Sequence, residues 1–139
     1  MGSATGSEMQ GHPELAWYLI ESVMADEFDL AVNASMDLDH GFTVPLSIAY
    51  GQPPVWPTAV VPVCVNVIQH PLPTALRCYK LGQAIGKAVA SYPDDITVGI
   101  WGTGGLSHQL GGERVGVVNP EFDQLFLDNL YHKNLLNLK

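Results

Sequence analysis

Two histidines stand where a short chain could carry out acid–base chemistry. His108 closes the run Gly102-Thr-Gly-Gly-Leu-Ser-His, and His40 closes Met36-Asp-Leu-Asp-His. Histidine is the side chain whose ordinary proton affinity lets it take and return a proton near neutrality, provided that the reacting group comes within hydrogen-bond reach. The glycines before His108 make a tight turn that delivers Ser107 and His108 to the carboxyl end of a strand expected over 96–101, where open α/β sheets place their chemistry. A plainer reading has the glycines making only the turn, with His108 hydrogen-bonded to a neighbouring backbone group. A serine nucleophile is poorly supported, because Gln109 occupies the second glycine position of a G-x-S-x-G elbow and adjacent side chains point apart in extended backbone. The same glycines resemble a phosphate-cradling loop only loosely, since the P-loop lysine is missing. His12, His40, His70, His108 and His132 include no i, i+4 pair. An iron-type site of two histidines and a carboxylate would have to be assembled from His40, His108 and Asp37 or Asp39, which their spacing does not require. His12, His70 and His132 read as surface residues.

The elements that hold these residues follow from periodicity. Pro13 and Glu14 open a helix in which Leu15, Leu19 and Val23 recur on one face with Ala16, Ile20 and Met24 beside them, and Asp26 and Glu27 close it. A strand is expected over 28–34, a short helix broken by Pro45 over 42–50, and a proline-rich loop over 52–57. The run 59–68, β-branched and apolar on both faces, predicts a central strand whose well-paired part begins after Pro62. Thr74 caps a helix reaching about Ser91, with the apolar stripe Cys78, Leu81, Ile85, Ala88 and Val89; Gly82 and Gly86 predict close packing on the sheet. Asn119, Pro120 and Glu121 open a last helix carrying Phe122, Leu125, Phe126 and Leu130. This alternation predicts an α/β fold, a mainly parallel or mixed sheet with helices on both faces. The chain divides into a flexible leader, 1–12, and a single domain, 13–139.

Composition narrows the function. Only 14% of residues are charged, against 47% hydrophobic, which is low for a freestanding surface and predicts that part of it meets a partner or the rest of a larger protein. A net charge of -8 and six scattered lysines and arginines argue against nucleic acid. No apolar run is long enough to span a membrane. Cys64 and Cys78 lie in no C-x-x-C pair and read as two reduced core thiols, which suits a cytoplasmic protein.

Taken together, ADEFDLAV, MDLDHGFTVPLSIAYG, VVPVCVNVIQHPLP, RCYKLGQAI, IWGTGGLSHQLGG and VNPEFDQLFLD resemble the central portion of the class III extradiol ring-cleaving dioxygenases. This is the β-subunit family of protocatechuate 4,5-dioxygenase and gallate dioxygenase. The resemblance implies an enzyme that opens a catechol-type ring with O₂ at a non-haem Fe(II). It implies an acid–base role for His108, a place for His40 beside the substrate, and substrate contacts at Gly104, Gly105 and Ser107. In the family the iron is held by two histidines before this region and a glutamate after it, so this chain alone is expected to hold no metal and to be inactive. The fold it implies is an incomplete version of the β-subunit fold, with exposed edges that invite a homo-oligomer, or a small α-subunit as partner. The alternative is a non-catalytic remnant that keeps the cleft as a binding or interaction module.

Overall fold

The computed structural model describes residues 9–138, apart from the side chains of Leu135 and Leu136. Its regular elements are α1 (Pro13–Ala25), α2 (His40–Tyr50), α3 (Ala75–Ala90) and α4 (Pro120–Tyr131), followed by a 3-10 turn, Leu135–Leu138. Three helices begin as the sequence requires. His12 Nδ1 accepts from Leu15 N–H at the start of α1, Thr74 Oγ1 from Arg77 N–H at α3, and Asn119 Oδ1 from Phe122 N–H at α4. The α2 helix differs from expectation. It runs unbroken through Pro45, which forfeits one i→i−4 bond to Gly41 without ending the helix, and it starts at His40 itself.

The core lies between α1 and α3. Leu15 and Leu19 pack with Ala88 towards one end, while Val23 and Phe28 pack with Ala84 towards the other, so the two helices run antiparallel. Polar contacts close the seam. The Tyr18 hydroxyl donates to the Ser91 carbonyl at 2.8 Å, Lys87 Nζ meets Asp26 Oδ1 at 2.7 Å, and the Arg77 guanidinium lies 4.1 Å above the Phe28 ring. Three residues from the expected strands, Leu30, Val61 and Val98, pack against this helix pair.

Those strands do not form a sheet among the described residues. The only pairing is an isolated parallel bridge between Gly11 and Val60, with Val60 N–H donating to the Gln10 carbonyl at 2.9 Å. The segments 28–34, 59–68 and 96–101 otherwise run without ladder partners. A ladder needs neighbouring backbones about 4.8 Å apart and in register. A single anchoring side chain on a helix pair fixes neither spacing nor register.

Other expectations are corrected in the same way. Gly82 and Gly86 face open space rather than a close neighbour. On α4, Phe122, Leu125 and Leu130 remain exposed and only Asn129 is buried, because among the described residues no other helix covers its apolar stripe. Cys78 is half-buried but Cys64 is exposed, so the thiols are free without both being core residues. The leader expected over 1–12 lies partly outside the described residues, and within them Gly11 is bridged and His12 caps α1.

Candidate active site

The turn 102–108 is shaped by its glycines and held by α4. Gly104 has φ +141, a conformation that side chains rarely adopt. At Gly105 the need is for space: a Cβ there would lie 3.1 Å from His108 Cε1 and 3.3 Å from its Nδ1, so the imidazole rests directly on the glycine. Ser107 is the fastening point. Its N–H donates to Asp123 Oδ1 at 2.8 Å, and its Oγ accepts from Asn119 N–H at 2.6 Å. A second tie follows, with Gln109 N–H donating to the Val117 carbonyl and Gly116 N–H to the Gln109 carbonyl. The turn is therefore clasped to the segment that enters α4.

His108 itself is exposed, and its Nδ1 lies 3.0 Å from the Leu106 carbonyl. A carbonyl can only accept, so a neutral ring bonded in this way carries its proton on Nδ1 and keeps its lone pair on Nε2. The backbone hydrogen bond foreseen as the plainer reading is present. It also produces the arrangement that a general base requires, one nitrogen held and the other available.

The Ser107 Oγ accepts from the Asn119 amide and keeps its own O–H as a donor. Gly104 and Gly105 shape the turn. Asp123 escaped the sequence reading: a first-turn acid on a helix ordinarily signals only a favourable helix dipole, and nothing in its spacing joins it to a serine sixteen positions earlier.

His40 is the first residue of α2, exposed, on the wall of a hollow of about 2100 Å³ that also includes Asp37, Asp39, Trp17 and Trp56. Asp39 precedes it at the cap position, with the Thr43 Oγ1 hydroxyl donating to the Asp39 carbonyl. No residue of the 102–108 turn lines this hollow, so the structure does not bring His40 and His108 onto a common wall. Among the described residues no three His, Cys, Asp or Glu side chains converge as metal ligands, the set His40, His108 and Asp37 or Asp39 included.

Residues 2–139 match the family described as the catalytic LigB subunit of aromatic ring-opening dioxygenase. The chain belongs to the LigB family. It is 51% identical over 120 residues to a gallate dioxygenase of Pseudomonas putida, covering 86% of this chain and 35% of that protein. It is 39% identical over 108 residues to a 2,3-dihydroxyphenylpropionate/2,3-dihydroxicinnamic acid 1,2-dioxygenase of Escherichia coli, covering 78% of this chain and 33% of the relative. A relative of the same name from Mycobacterium ulcerans is 39% identical over 95 residues, 68% of this chain and 29% of its own length. The LigB-family chain thus spans about a third of the length of these relatives. No helix among its described residues is long and apolar enough to cross a membrane.

Proposed function

We propose that this LigB-family chain serves extradiol cleavage of a catechol-type ring, of the protocatechuate or gallate kind, by O₂. In this reading it contributes the acid–base residue and part of the substrate surface. The observation that carries the reading is the exposed imidazole of His108, held with Nδ1 3.0 Å from the Leu106 carbonyl. A ring hydroxyl is a weak acid, so a diol binds as an anion only if a base accepts its proton. Nε2 of His108 takes that proton, and the imidazolium returns one to oxygen as the ring opens. Removing such a group costs about 10²–10⁴ in turnover. Places for His40 beside the substrate and for Gly104, Gly105 and Ser107 in contact with it rest on the resemblance alone, and they require the start of α2 and the 102–108 turn to face one another, which they do not among the described residues.

The resemblance implies Fe(II), whose part when bound is to activate the diol and O₂. The described residues do not converge into an iron site, so the chemistry assigned to this chain is that of the proton. The chain is read as one domain, 13–139, in which Leu30, Val61 and Val98 meet the α1–α3 layer, and a mixed or parallel sheet of 28–34, 59–68 and 96–101 would need ladder partners beyond those contacts. Two free thiols favour a cytoplasmic setting. The uncovered apolar runs favour association with a second copy or a small α-subunit.

The test is oxygen uptake by a full-length gallate dioxygenase of the family in which this chain's sequence replaces the matching region, supplied anaerobically with Fe(II), then with gallate or protocatechuate, then with air. Uptake that falls about 10²-fold or more in His108→Ala, with diol binding retained, is the expected result; equal turnover in His108→Ala overturns it. A binding module without ring cleavage is the second reading, favoured by the lack of converging ligands among the described residues. It would appear as quenching of tryptophan fluorescence by the diol with no oxygen uptake.

A further inference from the structure

We propose that Asp123 is a positioning residue for His108, acting through the peptide group between Leu106 and Ser107. The two hydrogen bonds that meet at this turn use opposite sides of one amide plane. The Ser107 N–H donates to Asp123 Oδ1 at 2.8 Å, and the carbonyl of the same peptide unit, that of Leu106, lies 3.0 Å from His108 Nδ1. The peptide is planar and cannot rotate one end without the other. A carboxylate that fixes its N–H therefore also fixes where its carbonyl points, and so where the imidazole is held.

The coupling is electronic as well as geometric. A hydrogen bond to an ionised acceptor is stronger than a neutral one, and an amide polarised at its N–H becomes a better acceptor at its oxygen. Asp123 is half-buried in the first turn of α4, where the helix end favours negative charge. The order is carboxylate, amide, imidazole, with the lone pair of Nε2 at the far end. It is the familiar orientation of a histidine by an acid, with a backbone amide interposed. The Ser107 hydroxyl, accepting from Asn119 N–H, keeps the amide in line with Asp123.

The inference rests on the reading of His108 as the acid–base residue, but its test reads the imidazole directly. Long-range ¹H–¹⁵N spectra of the intact chain report the tautomer of each neutral histidine. His108 is expected as the Nδ1–H form, whereas free imidazole side chains favour Nε2–H; an Nε2–H His108 overturns the proposal. His12 is an internal control of opposite sense, because its Nδ1 accepts from Leu15 N–H. Asp123→Ala is expected to abolish the Nδ1–H preference of His108 and leave His12 unchanged. Asp123→Asn, which retains an acceptor oxygen, is expected to restore it. A merely structural role for Asp123 would disturb both histidines or neither. An unchanged His108 in Asp123→Ala, or loss in Asp123→Asn, overturns the assignment. Asp123→Asn also decides the matter if the alanine variant does not fold. Oxygen uptake separates this inference from the reading beneath it. If the tautomer shifts in Asp123→Ala but His108→Ala turns over normally, the relay stands and the acid–base role falls; the reverse pair of results removes Asp123 alone.

Discussion

The imidazole of His108 lies against Gly105, and that contact makes the smallest residue of the turn a determinant of its chemistry. Gly105 needs no unusual backbone angle, so an added methyl group acts only by crowding the ring 3.1 Å away. Gly105→Ala is expected to leave the chain folded, displace the imidazole by a few tenths of an ångström and weaken its bond to Leu106. The readouts are the His108 tautomer and oxygen uptake, both falling while thermal unfolding is unchanged. Gly104 behaves oppositely. Its φ of +141 makes Gly104→Ala a backbone-strain variant, expected to cost about 1–3 kcal/mol in urea unfolding. Similar losses at the two positions would mean that the turn is not shaped as described. Much of this site could be read in the sequence: a histidine delivered by a glycine turn is visible in the order of the residues. Which ring nitrogen is held, and that Ser107 is fastened by Asp123, depends on contacts across sixteen residues that no local pattern encodes.

At the scale of elements, caps and periodicity were legible and burial was not. Asn119, Pro120 and Glu121 announce α4, and the cap forms as expected. Asn119→Ala should cost about 1 kcal/mol of stability, measured by urea unfolding followed by circular dichroism, while its backbone N–H still meets Ser107 Oγ. The α4 stripe of Phe122, Leu125 and Leu130 is just as periodic as that of α1, yet it stays exposed, because periodicity states which face is apolar and not what will cover it. The strands failed as ladders for a related reason: a β-branched run specifies an extended shape, whereas pairing is a property of two segments. The α1–α3 corner gives a pH test. Partial burial, a hydrogen bond with Asp94 and the charges of Asp94 and Glu14 hold the Tyr92 phenol above its usual range. The fold thus favours the protonated phenol. That contribution is whole below the unfolded phenol value, about 10, and is lost as pH rises through the folded one. Unfolding free energy is expected to drop above about pH 10 and to do so less in Tyr92→Phe.

The whole molecule exposes 11140 Å² of surface, whereas a compact monomer of 15.0 kDa exposes roughly 7000 Å². The difference, roughly 4000 Å², exceeds the roughly 1,000–2,500 Å² per partner that permanent protein interfaces bury. Val63, Val67, Ile68, Ile100 and Trp101 account for part of it, each more than half exposed along segments with free backbone edges. In analytical ultracentrifugation the chain is expected to sediment above 15.0 kDa and to bind a hydrophobic dye when dilute. A sharp monomer that binds no dye would show these runs to be covered. The sequence signalled this surface through its low charge content, although it did not reveal where the uncovered residues lie. The same surface has a consequence for handling. At neutral pH the net charge of -8 supplies the main repulsion between copies that present bare apolar runs. Mild acid titrates the carboxylates and concentrated salt shortens the reach of their field, so either should turn a clear solution cloudy without any helix having melted.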